Sequence, residues 1–374
     1  MIFQVYQRHQ VVLILFAYGV HGFVSLTVLE EDGLLLHSVR WEYSIDNGNI
    51  TILLYPKGLE KDTADIGRRL SEYLGETLLK YEEGDGKAGY ILGCAPGRYD
   101  GMEKMAEGIA ERTDSNKLRL GYEPVPIYEG VVWDFISEAI HILLIAPSGA
   151  GKTYLLRYLG GMILNRGHRL YVIDAKNSDF GRVFSHAGVR VATNIEDIIQ
   201  MLTELVAKME ERYATFYADD SDGADFQEKG MPGHFLIFDE ILSVLSSAGK
   251  KEKEQIESLL QQIALKGRAA GFSIIITAQK LNATDLPKAI TEQCQTRIVL
   301  GGIVSDETFH QATGMYKKDA GSIYRGGVGK GYAVTPKTKG LTYIETPLLP
   351  QNLRECLGLF TELRDRGASY GEGR

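Results

Sequence analysis

A short Gly-rich stretch carries the clearest chemical pattern in this sequence. Residues 145–153 read IAPSGAGKT and lie between the apolar run HILLI and the helix-like run YLLRYLGGMIL. They match the pattern GxxxxGK[ST], with Ala146 in place of the first glycine, where a strand passes into a helix. Backbone N–H groups of such a loop wrap phosphates, and the helix N-terminus adds positive potential. The stretch therefore predicts a phosphate-binding loop rather than an ordinary Gly-rich turn.

The residue types at the end of this loop assign it to ATP and Mg²⁺. Lys152 is predicted to reach the β and γ phosphates, and the Thr153 hydroxyl to ligate Mg²⁺. The predicted nucleotide-binding residues are Ala146, Pro147, Ser148, Gly149, Ala150, Gly151, Lys152, Thr153 and Tyr154.

Two further polar positions follow apolar strands, as an ATPase requires. In GHFLIFDE, Asp239 is predicted to hold Mg²⁺ and Glu240 to polarise the attacking water. In FSIIITAQ, Gln279 is predicted to sense the γ-phosphate or to position water, although a polar strand cap would look the same. Acid pairs after a strand are common, so the combination with the phosphate loop carries the prediction.

Alternating strands and helices must position these groups. The runs HILLIA, HRLYVID, GHFLIFDE, FSIIITAQ and QTRIVLGG read as strands, with helical segments between them. This order predicts an α/β fold with a mostly parallel central sheet over residues 128–350. Residues 33–127 predict a small α+β domain with a helix from residue 61 to about 81, and residues 351–374 a C-terminal helix with a flexible tail from about Arg364.

The N-terminal segment, residues 1–32, allows two interpretations. Residues 11–29 are apolar and long enough to span a bilayer. However, Gly19, His21 and Gly22 interrupt the run, and Glu30, Glu31 and Asp32 follow it, against the positive-inside tendency. A membrane helix and a buried β-hairpin therefore both remain open.

Composition narrows the class without naming a substrate. The chain has 374 residues, 44% hydrophobic and 24% charged, which is long enough for two or three domains. Its net charge of −8 excludes a protein that is basic as a whole, though not a local basic surface. Cys94, Cys294 and Cys356 lack metal-site spacing and read as reduced thiols of a cytoplasmic protein.

Six blocks, in order, resemble the FtsK/SpoIIIE/HerA class of DNA-pumping motors. They are HILLIAPSGAGKTYLL, YVIDAK with Asp174 and Lys176, LVAKMEERYATF, FLIFDE, KGRAAGFSIIITAQKL and ITEQCQTRIVLGGIVSDETFHQATG. Within that class the chain is most similar to the FtsK-like coupling proteins of Gram-positive conjugative elements. The resemblance implies a RecA-like P-loop NTPase domain that pumps DNA during conjugative or mobile-element transfer.

The resemblance also implies an assembly. Such motors are homo-hexamers with ATP between subunits, and Arg268 in GRAAG falls where the family has its arginine finger. Arg297 in QTRIV matches a second family arginine that senses nucleotide. The implied partners are DNA and a relaxase or secretion channel. Many relatives have N-terminal membrane helices, so the resemblance makes residues 11–29 the candidate anchor at the inner face of the membrane.

The DNA contact and the transported polymer are the least determined. Candidate DNA-contacting residues are Lys250, Lys251, Lys253, Lys317, Lys318, Arg325 and Lys330, although a solvated helix start explains the first three equally well. The Gly-rich run RGGVGKGY precedes a strand rather than a helix and is interpreted as a turn. Alternatives to DNA transport are a protein-secretion or assembly ATPase, an ATP-gated scaffold, and a non-motor kinase or nucleotide switch.

Overall fold

The computed structural model describes most of the chain. The described residues are 22–28, 37–46, 49–55, 77–84, 87–93, 97–107, 120–136, 140–218, 225–320, 327–338, 340–350 and 352–371. They form two compact units. The first comprises Met1–Pro96, Met315–Arg325 and Thr338–Tyr343, and the second Gly97–Gly314, Gly326–Lys337 and Ile344–Arg374.

The first unit is built on antiparallel strands. They are β1 (Gly22–Val28), β2 (His37–Asp46), β3 (Asn49–Tyr55), β4 (Thr77–Gly84) and β5 (Lys87–Gly93), and a 3₁₀ helix covers Lys317–Ala320. The spatial order is β1-β2-β3-β5-β4, and every neighbouring pair is antiparallel. Buried Ile52, Leu54, Tyr90 and Leu92 form the core of this unit.

The second unit holds the remaining elements. Its strands are β6 (Val125–Tyr128), β7 (Val131–Trp133), β8 (Ile142–Ile145), β9 (Arg169–Asp174), β10 (Arg190–Ala192), β11 (His234–Asp239), β12 (Phe272–Ala278), β13 (Thr296–Leu300), β14 (Lys330–Val334) and the end of β15 (Leu341–Glu345). Its helices are α1 (Gly101–Glu107), α2 (Lys152–Asn165), α3 (Asp179–His186), α4 (Ile195–Ala218), α5 (Ile241–Ser247), α6 (Lys250–Ala270), α7 (Lys288–Thr291), α8 (Asp306–Thr313) and α9 (Leu353–Gly371).

The sheet of this unit confirms the predicted α/β class. Its order is β14-β13-β8-β12-β11-β9-β10, parallel throughout except that β14 runs antiparallel to β13. Every residue of β8 and β12 is buried, because helices cover both faces of a parallel sheet. All five strands predicted from apolar runs form at their expected positions.

Helix α2 lies tightly between its neighbours. All residues from Leu155 to Asn165 are buried. A Cβ on Gly160 would lie 2.5 Å from the Phe184 ring, and one on Gly161 would lie 2.5 Å from the Met105 sulfur. The two glycines therefore let α1, α3 and α9 approach the helix that begins at the phosphate loop.

Two buried histidines join backbone groups of the second unit. The His141 Nδ1 accepts the Ile274 N–H at 3.0 Å, and its Nε2 lies 3.1 Å from the Ala264 carbonyl oxygen. His168 Nδ1 accepts the Gly233 N–H, and its Nε2 lies 2.8 Å from the Gly121 carbonyl oxygen. Burial lowers the pKa of each ring to about 4, so both are neutral near pH 7.

The sequence predicted a domain boundary between residues 127 and 128, and the observed boundary between the units lies elsewhere. Residues 97–107 and 120–128 belong to the second unit because they bond directly to its helix α2 and the following turn. Asn165 donates to the Met105 carbonyl at 2.6 Å, and Tyr158 donates to the Pro126 carbonyl at 2.6 Å. Residues 315–325 and 338–343, predicted within the motor domain, belong to the first unit.

Two predicted segments require correction. The helix predicted to about residue 81 cannot extend that far, because Thr77–Gly84 is strand β4, which pairs with β5 and buries Leu78 and Tyr81. The tail predicted to be flexible from Arg364 continues as helix α9 to Gly371. Buried Phe360 and Leu363 anchor α9, and extending a formed helix is far easier than starting one.

The structure describes only part of the N-terminal segment for which a membrane helix and a β-hairpin were both predicted. Residues 22–28, the second part of the apolar run 11–29, form strand β1 rather than a helix. Residues 1–21 and Cys94 lie outside the described residues. Within the described part of the chain, no helix is both long and apolar enough to cross a bilayer. Cys294 and Cys356 are buried free thiols, and burial raises the pKa of Cys294 to about 12.

Candidate nucleotide site

The predicted phosphate loop lies between β8 and α2. Gly149 and Gly151 have φ values of 78° and 92°, which favour glycine. Ala146 donates its N–H to the Ala278 carbonyl at 3.0 Å and continues the sheet. Its φ is not positive, so alanine fits where the usual pattern has glycine. The loop ends at Gly151, which has no side chain to cap the first N–H groups of α2, and an anion is the natural partner for such groups.

Lys152 connects this loop to the acid strand. Its Nζ lies 2.6 Å from Asp239 Oδ1 and 3.3 Å from Glu240 Oε2. Asp239 ends β11, and Glu240 follows with φ 55° and ψ 55°, a left-handed conformation that is uncommon for a residue with a side chain. Both carboxylates are largely buried, at 9% and 7% exposure. The structure thus brings together three of the residues predicted from separate parts of the sequence.

Thr277 orients the two acids and was missed in the sequence. Its hydroxyl donates to Asp239 Oδ1 at 2.7 Å and accepts the Glu240 N–H at 3.0 Å. Gln279, two residues after Thr277, donates its backbone N–H to Glu240 Oε1 at 3.3 Å. The available signal was a hydroxyl residue near the end of the apolar strand FSIIITA.

Lys176 is a second residue whose role needed the structure. Its Nζ lies 3.7 Å from Glu240 Oε2, and its side chain is 47% exposed, so the pair is weak. The preceding Asp174 is buried and accepts the N–H groups of Ser178 and Gly181 at 2.8 and 3.0 Å. This folds the chain back after β9 and brings Lys176 beside the acid pair.

An open cleft of about 730 Å³ adjoins the acids. Glu240 and Gln279 form part of its wall, together with three lysines, Lys176, Lys253 and Lys280. Lys253 lies in the predicted DNA-contacting group at the start of α6. The cleft therefore connects a candidate catalytic carboxylate with cationic side chains from three separate segments.

A family model for the FtsK/SpoIIIE family matches residues 103–236, about a third of the chain. The matched segment contains the phosphate loop and ends inside β11, just before the acid pair. The chain carries an FtsK/SpoIIIE-type ATPase domain.

Two curated bacterial proteins are similar to this chain. The chain is 24% identical over 229 residues to the Ftsk domain-containing protein YdcQ of Bacillus subtilis strain 168. This alignment covers 61% of this chain and 47% of YdcQ. The chain is 25% identical over 193 residues to the DNA translocase FtsK of Staphylococcus aureus strain Mu50, covering 46% and 24%. The chain therefore spans less than half the length of either relative.

Solved structures share the fold of this chain. The pCW3 conjugation coupling protein TcpA, a monomer with ATPγS, superposes with a TM-score of 0.55 at 15% identity, over 86% of this chain and 94% of TcpA. The cytoplasmic domain of the type VII secretion ATPase EccC of Thermomonospora curvata gives a TM-score of 0.54 at 18% identity, over 72% and 34%. At these identities the likeness concerns the fold.

Two predicted arginines lie away from the FtsK/SpoIIIE-type site. Arg268 is exposed in the last turn of α6, before β12, whereas Gln279 follows β12 at its other end. Strand β12 has seven residues at about 3.3 Å each, so roughly 20 Å of strand separates the end near Arg268 from the end near the acids. Arg297 lies in β13 and donates to the Cys294 and Thr291 carbonyls at 2.9 and 2.8 Å.

The donor set of the FtsK/SpoIIIE-type site suits Mg²⁺. Asp239 offers carboxylate oxygens and Thr153 a hydroxyl next to Lys152, and magnesium prefers such hard oxygen ligands. Among the described residues there is no cluster of three or more His, Cys, Asp or Glu that would indicate a different metal cage. The residues present therefore fit a magnesium ion that is also held by nucleotide phosphates.

Proposed function

We propose that this chain is an ATP-hydrolysing DNA translocase that moves DNA during conjugative or mobile-element transfer. The observation that carries the proposal is the bonded group formed by Lys152, Asp239, Glu240 and Thr277 at the end of the phosphate loop. The names of its relatives, a DNA translocase and a conjugation coupling protein, supply the polymer and the process.

The chain's own residues have distinct roles in hydrolysis. The phosphate loop holds the phosphates with its N–H groups, and Lys152 adds a positive charge beside the β and γ phosphates. Glu240, held by the Gln279 N–H, accepts a proton from the attacking water and orients it. Asp239 and Thr153 would hold Mg²⁺, which neutralises developing phosphate charge when bound.

The cleft beside Glu240 supports coupling to a polyanion. Lys253, Lys280 and Lys176 line the same 730 Å³ cleft as Glu240 and Gln279. Lysines that contact phosphates make binding strongly dependent on salt but not on base sequence, as a translocase requires. Glu240 and Asp285 also line the cleft, so its three lysines leave a small positive excess in a chain whose net charge is −8.

An oligomer follows from the position of Arg268. Because roughly 20 Å of strand separates the end near Arg268 from the end near the acids, it serves a nucleotide only in a neighbouring copy. A contact between one end of the sheet and the other end in the next copy is head-to-tail. Contacts of this kind form a ring when the rotation between copies closes. The resemblance to FtsK-like motors implies six copies, and we propose a homo-hexamer.

The cellular setting follows from the same proposal. A conjugative motor works with a relaxase or a secretion channel at the inner face of the membrane. The candidate anchor was residues 11–29. Residues 22–28 of that run form strand β1, and residues 11–21 lie outside the described residues.

Steady-state ATP hydrolysis tests the proposal. Purified full-length protein is assayed without DNA, with single-stranded DNA and with double-stranded DNA. Glu240→Gln removes the catalytic carboxylate, and Glu204→Gln, which alters an exposed ion pair with Arg190, is the matched control. We expect stimulation by one form of DNA, its loss in Glu240→Gln and its retention in Glu204→Gln.

The alternative outcomes separate the competing functions. Hydrolysis that depends on Glu240 but is indifferent to both DNA forms contradicts the DNA motor and favours a protein-secretion or assembly ATPase. A rate that is equal in wild type and Glu240→Gln contradicts the assignment of the catalytic site itself.

A further inference from the structure

A turn from a distant part of the sequence lies directly against the phosphate loop. Gly327–Lys330, within the Gly-rich run interpreted as a simple turn, contacts the loop through backbone atoms. The Gly329 N–H donates to the Ala150 carbonyl oxygen at 2.8 Å. A Cβ on Gly151 would lie only 2.6 Å from the Gly329 nitrogen, so the two segments are in close contact.

The hydrogen bond from Gly329 fixes the direction of one loop peptide. In a trans peptide the carbonyl oxygen and the following N–H point to opposite sides. Holding the Ala150 oxygen toward the turn therefore directs the Gly151 N–H away from it. Gly149 and Gly151 both have positive φ, and glycine permits the peptides between them to rotate with little steric resistance. An external contact is therefore needed to keep this peptide in one orientation.

Arg98 holds the turn in place. Its Nη2 donates to the Val328 carbonyl at 2.6 Å, and a Cβ on Gly329 would lie 3.0 Å from its Nη1. On the other side, the Thr346 N–H donates to the Gly329 carbonyl at 2.7 Å. The turn is thus held by the Arg98 side chain and by the backbone N–H of Thr346, which directly follows β15.

Arg98 is itself oriented by Glu345. The Arg98 Nε lies 2.7 Å from Glu345 Oε2, and the Lys330 Nζ lies 3.1 Å from Oε1 of the same carboxylate. The side chains of Arg98 and Glu345 are only 22% and 12% exposed, which protects the pair from water. A planar guanidinium held on two sides has a defined direction that a lysine does not reproduce.

We propose that Arg98 is a positioning residue for ATP binding, acting through the turn Gly327–Lys330 on the Ala150–Gly151 peptide. This inference rests on the proposed nucleotide site and goes beyond it, because it assigns nucleotide affinity to a residue that does not belong to the phosphate-loop motif. The loop contacts the phosphates both in the bound state and during hydrolysis. Loss of its orientation therefore weakens binding and raises KM, with little change in kcat.

The test compares Arg98 with an arginine of similar bonding elsewhere in the unit. Arg212 donates to the Ala270 and Pro232 carbonyls, both at 2.7 Å, at the opposite end of the sheet. For Arg98→Ala, Arg98→Lys, Arg212→Ala and wild type, the measurements are the Kd of a fluorescent ATP analogue with Mg²⁺, KM, kcat and the melting temperature.

We expect a selective loss of affinity. Arg98→Ala should raise Kd and KM by about ten-fold, the effect of one lost charge-assisted hydrogen bond, while kcat stays within about three-fold. Arg98→Lys should lie between Arg98→Ala and wild type. Arg212→Ala should lower the melting temperature but leave Kd within about two-fold of wild type, because its bonds lie far from the loop.

Glu345→Gln provides an independent variant of nearly the same volume. It removes the charge that orients Arg98 and should raise Kd by about three-fold without removing the guanidinium. If Arg98→Ala does not fold, this variant decides. Unchanged Kd in the folded Arg98→Ala and Glu345→Gln proteins, or an equal rise in Arg212→Ala, would overturn the proposal.

Lys152→Ala separates this inference from the proposed function. If Lys152→Ala leaves the Kd of the analogue unchanged, the nucleotide site itself is wrongly placed. If Lys152→Ala weakens binding but Arg98→Ala and Glu345→Gln do not, only the role of Arg98 is refuted. An absence of DNA stimulation, with the expected shifts in Kd, refutes DNA translocation and leaves the Arg98 inference intact.

Discussion

The two ends of strand β12 use the same kind of side chain in opposite ways. Ser273 and Thr277 are both buried hydroxyls, four positions apart and therefore on one face of the strand. At the beginning of the strand, Ser273 donates to the Ile140 carbonyl. At its end, Thr277 bonds instead to Asp239 and to the N–H that leads into Glu240. A hydroxyl bonded to backbone stabilises the fold, whereas one bonded to ionisable groups sets their geometry.

The same contrast holds for neighbouring groups. At the amino end of the sheet, His141, His168 and Arg212 all bond to backbone N–H or carbonyl groups. At the carboxyl end, Lys152 and Glu240 bond mainly to other side chains. Parallel strands expose their free backbone ends and helix N-termini at the carboxyl edge, and ligands bind there for that reason. The contrast indicates which polar groups remain available to a ligand.

Arg268 is the strongest challenge to this comparison, because a residue at the amino end is assigned to catalysis. We expect Arg268→Ala to lower kcat by about 10³-fold, as for other arginine fingers, with little change in nucleotide binding. Arg169→Ala, an exposed arginine at the start of β9, is the control and should hydrolyse ATP normally.

Mixing variants shows whether Arg268 acts in a neighbouring copy. In an assembly that mixes the two variants, the Arg268→Ala copy keeps Glu240 and the Glu240→Gln copy keeps Arg268. A site between two such copies can therefore contain both intact residues. These mixtures should recover part of the activity that each variant lacks alone. If no mixing ratio restores hydrolysis, action in trans is excluded, and Arg268 belongs with the structural groups of the amino end.

Thr277→Val tests the comparison within one strand. The change keeps the side-chain shape but removes the bonds to Asp239 Oδ1 and the Glu240 N–H. We expect kcat to fall by about 10- to 100-fold, as when partners of catalytic or metal-binding groups are removed. Ser273→Ala should reduce the stability but keep kcat within about three-fold. Equal effects of the two changes on kcat would show that the ends of β12 do not differ in function.

Acid sensitivity tests the amino end of the sheet, where both buried histidines lie. His141 and His168 have pKa values of about 4 in the folded protein, against 6.5 in the unfolded chain. The unfolded chain therefore binds protons first as pH falls. Their contribution is complete above pH 6.5 and is lost between pH 6.5 and 4, by up to about 1.4 kcal/mol per pH unit for each ring.

Urea unfolding between pH 7.5 and 4.5 measures this loss. Burial is the physical cause of the lowered pKa of His141, because the charged imidazolium would lose its hydration in the core. His141→Gln should remove the contribution of one titrating ring from the pH dependence of the unfolding free energy. A pH dependence identical in wild type and His141→Gln would contradict the assignment.

Most of the ATPase architecture was readable from local patterns. The five parallel strands are recognisable in the sequence as apolar β-rich runs. The phosphate loop and the acids follow directly after two of these runs. Segments whose state depends on pairing were predicted less well. Leu78 and Tyr81 fit a helical spacing, yet pairing with β5 makes them part of a strand. Local spacing cannot reveal a partner that lies elsewhere in the chain.

By itself, the sequence determined the α/β class. It also predicted the phosphate loop with Lys152, Asp239 and Glu240, because these predictions depend on local motifs at strand ends. Only the tertiary structure decided that Thr277 orients both acids, that Lys176 lies beside Glu240, and that a turn held by Arg98 supports Ala150. These contacts join residues far apart in sequence, and folding alone brings them within hydrogen-bonding distance.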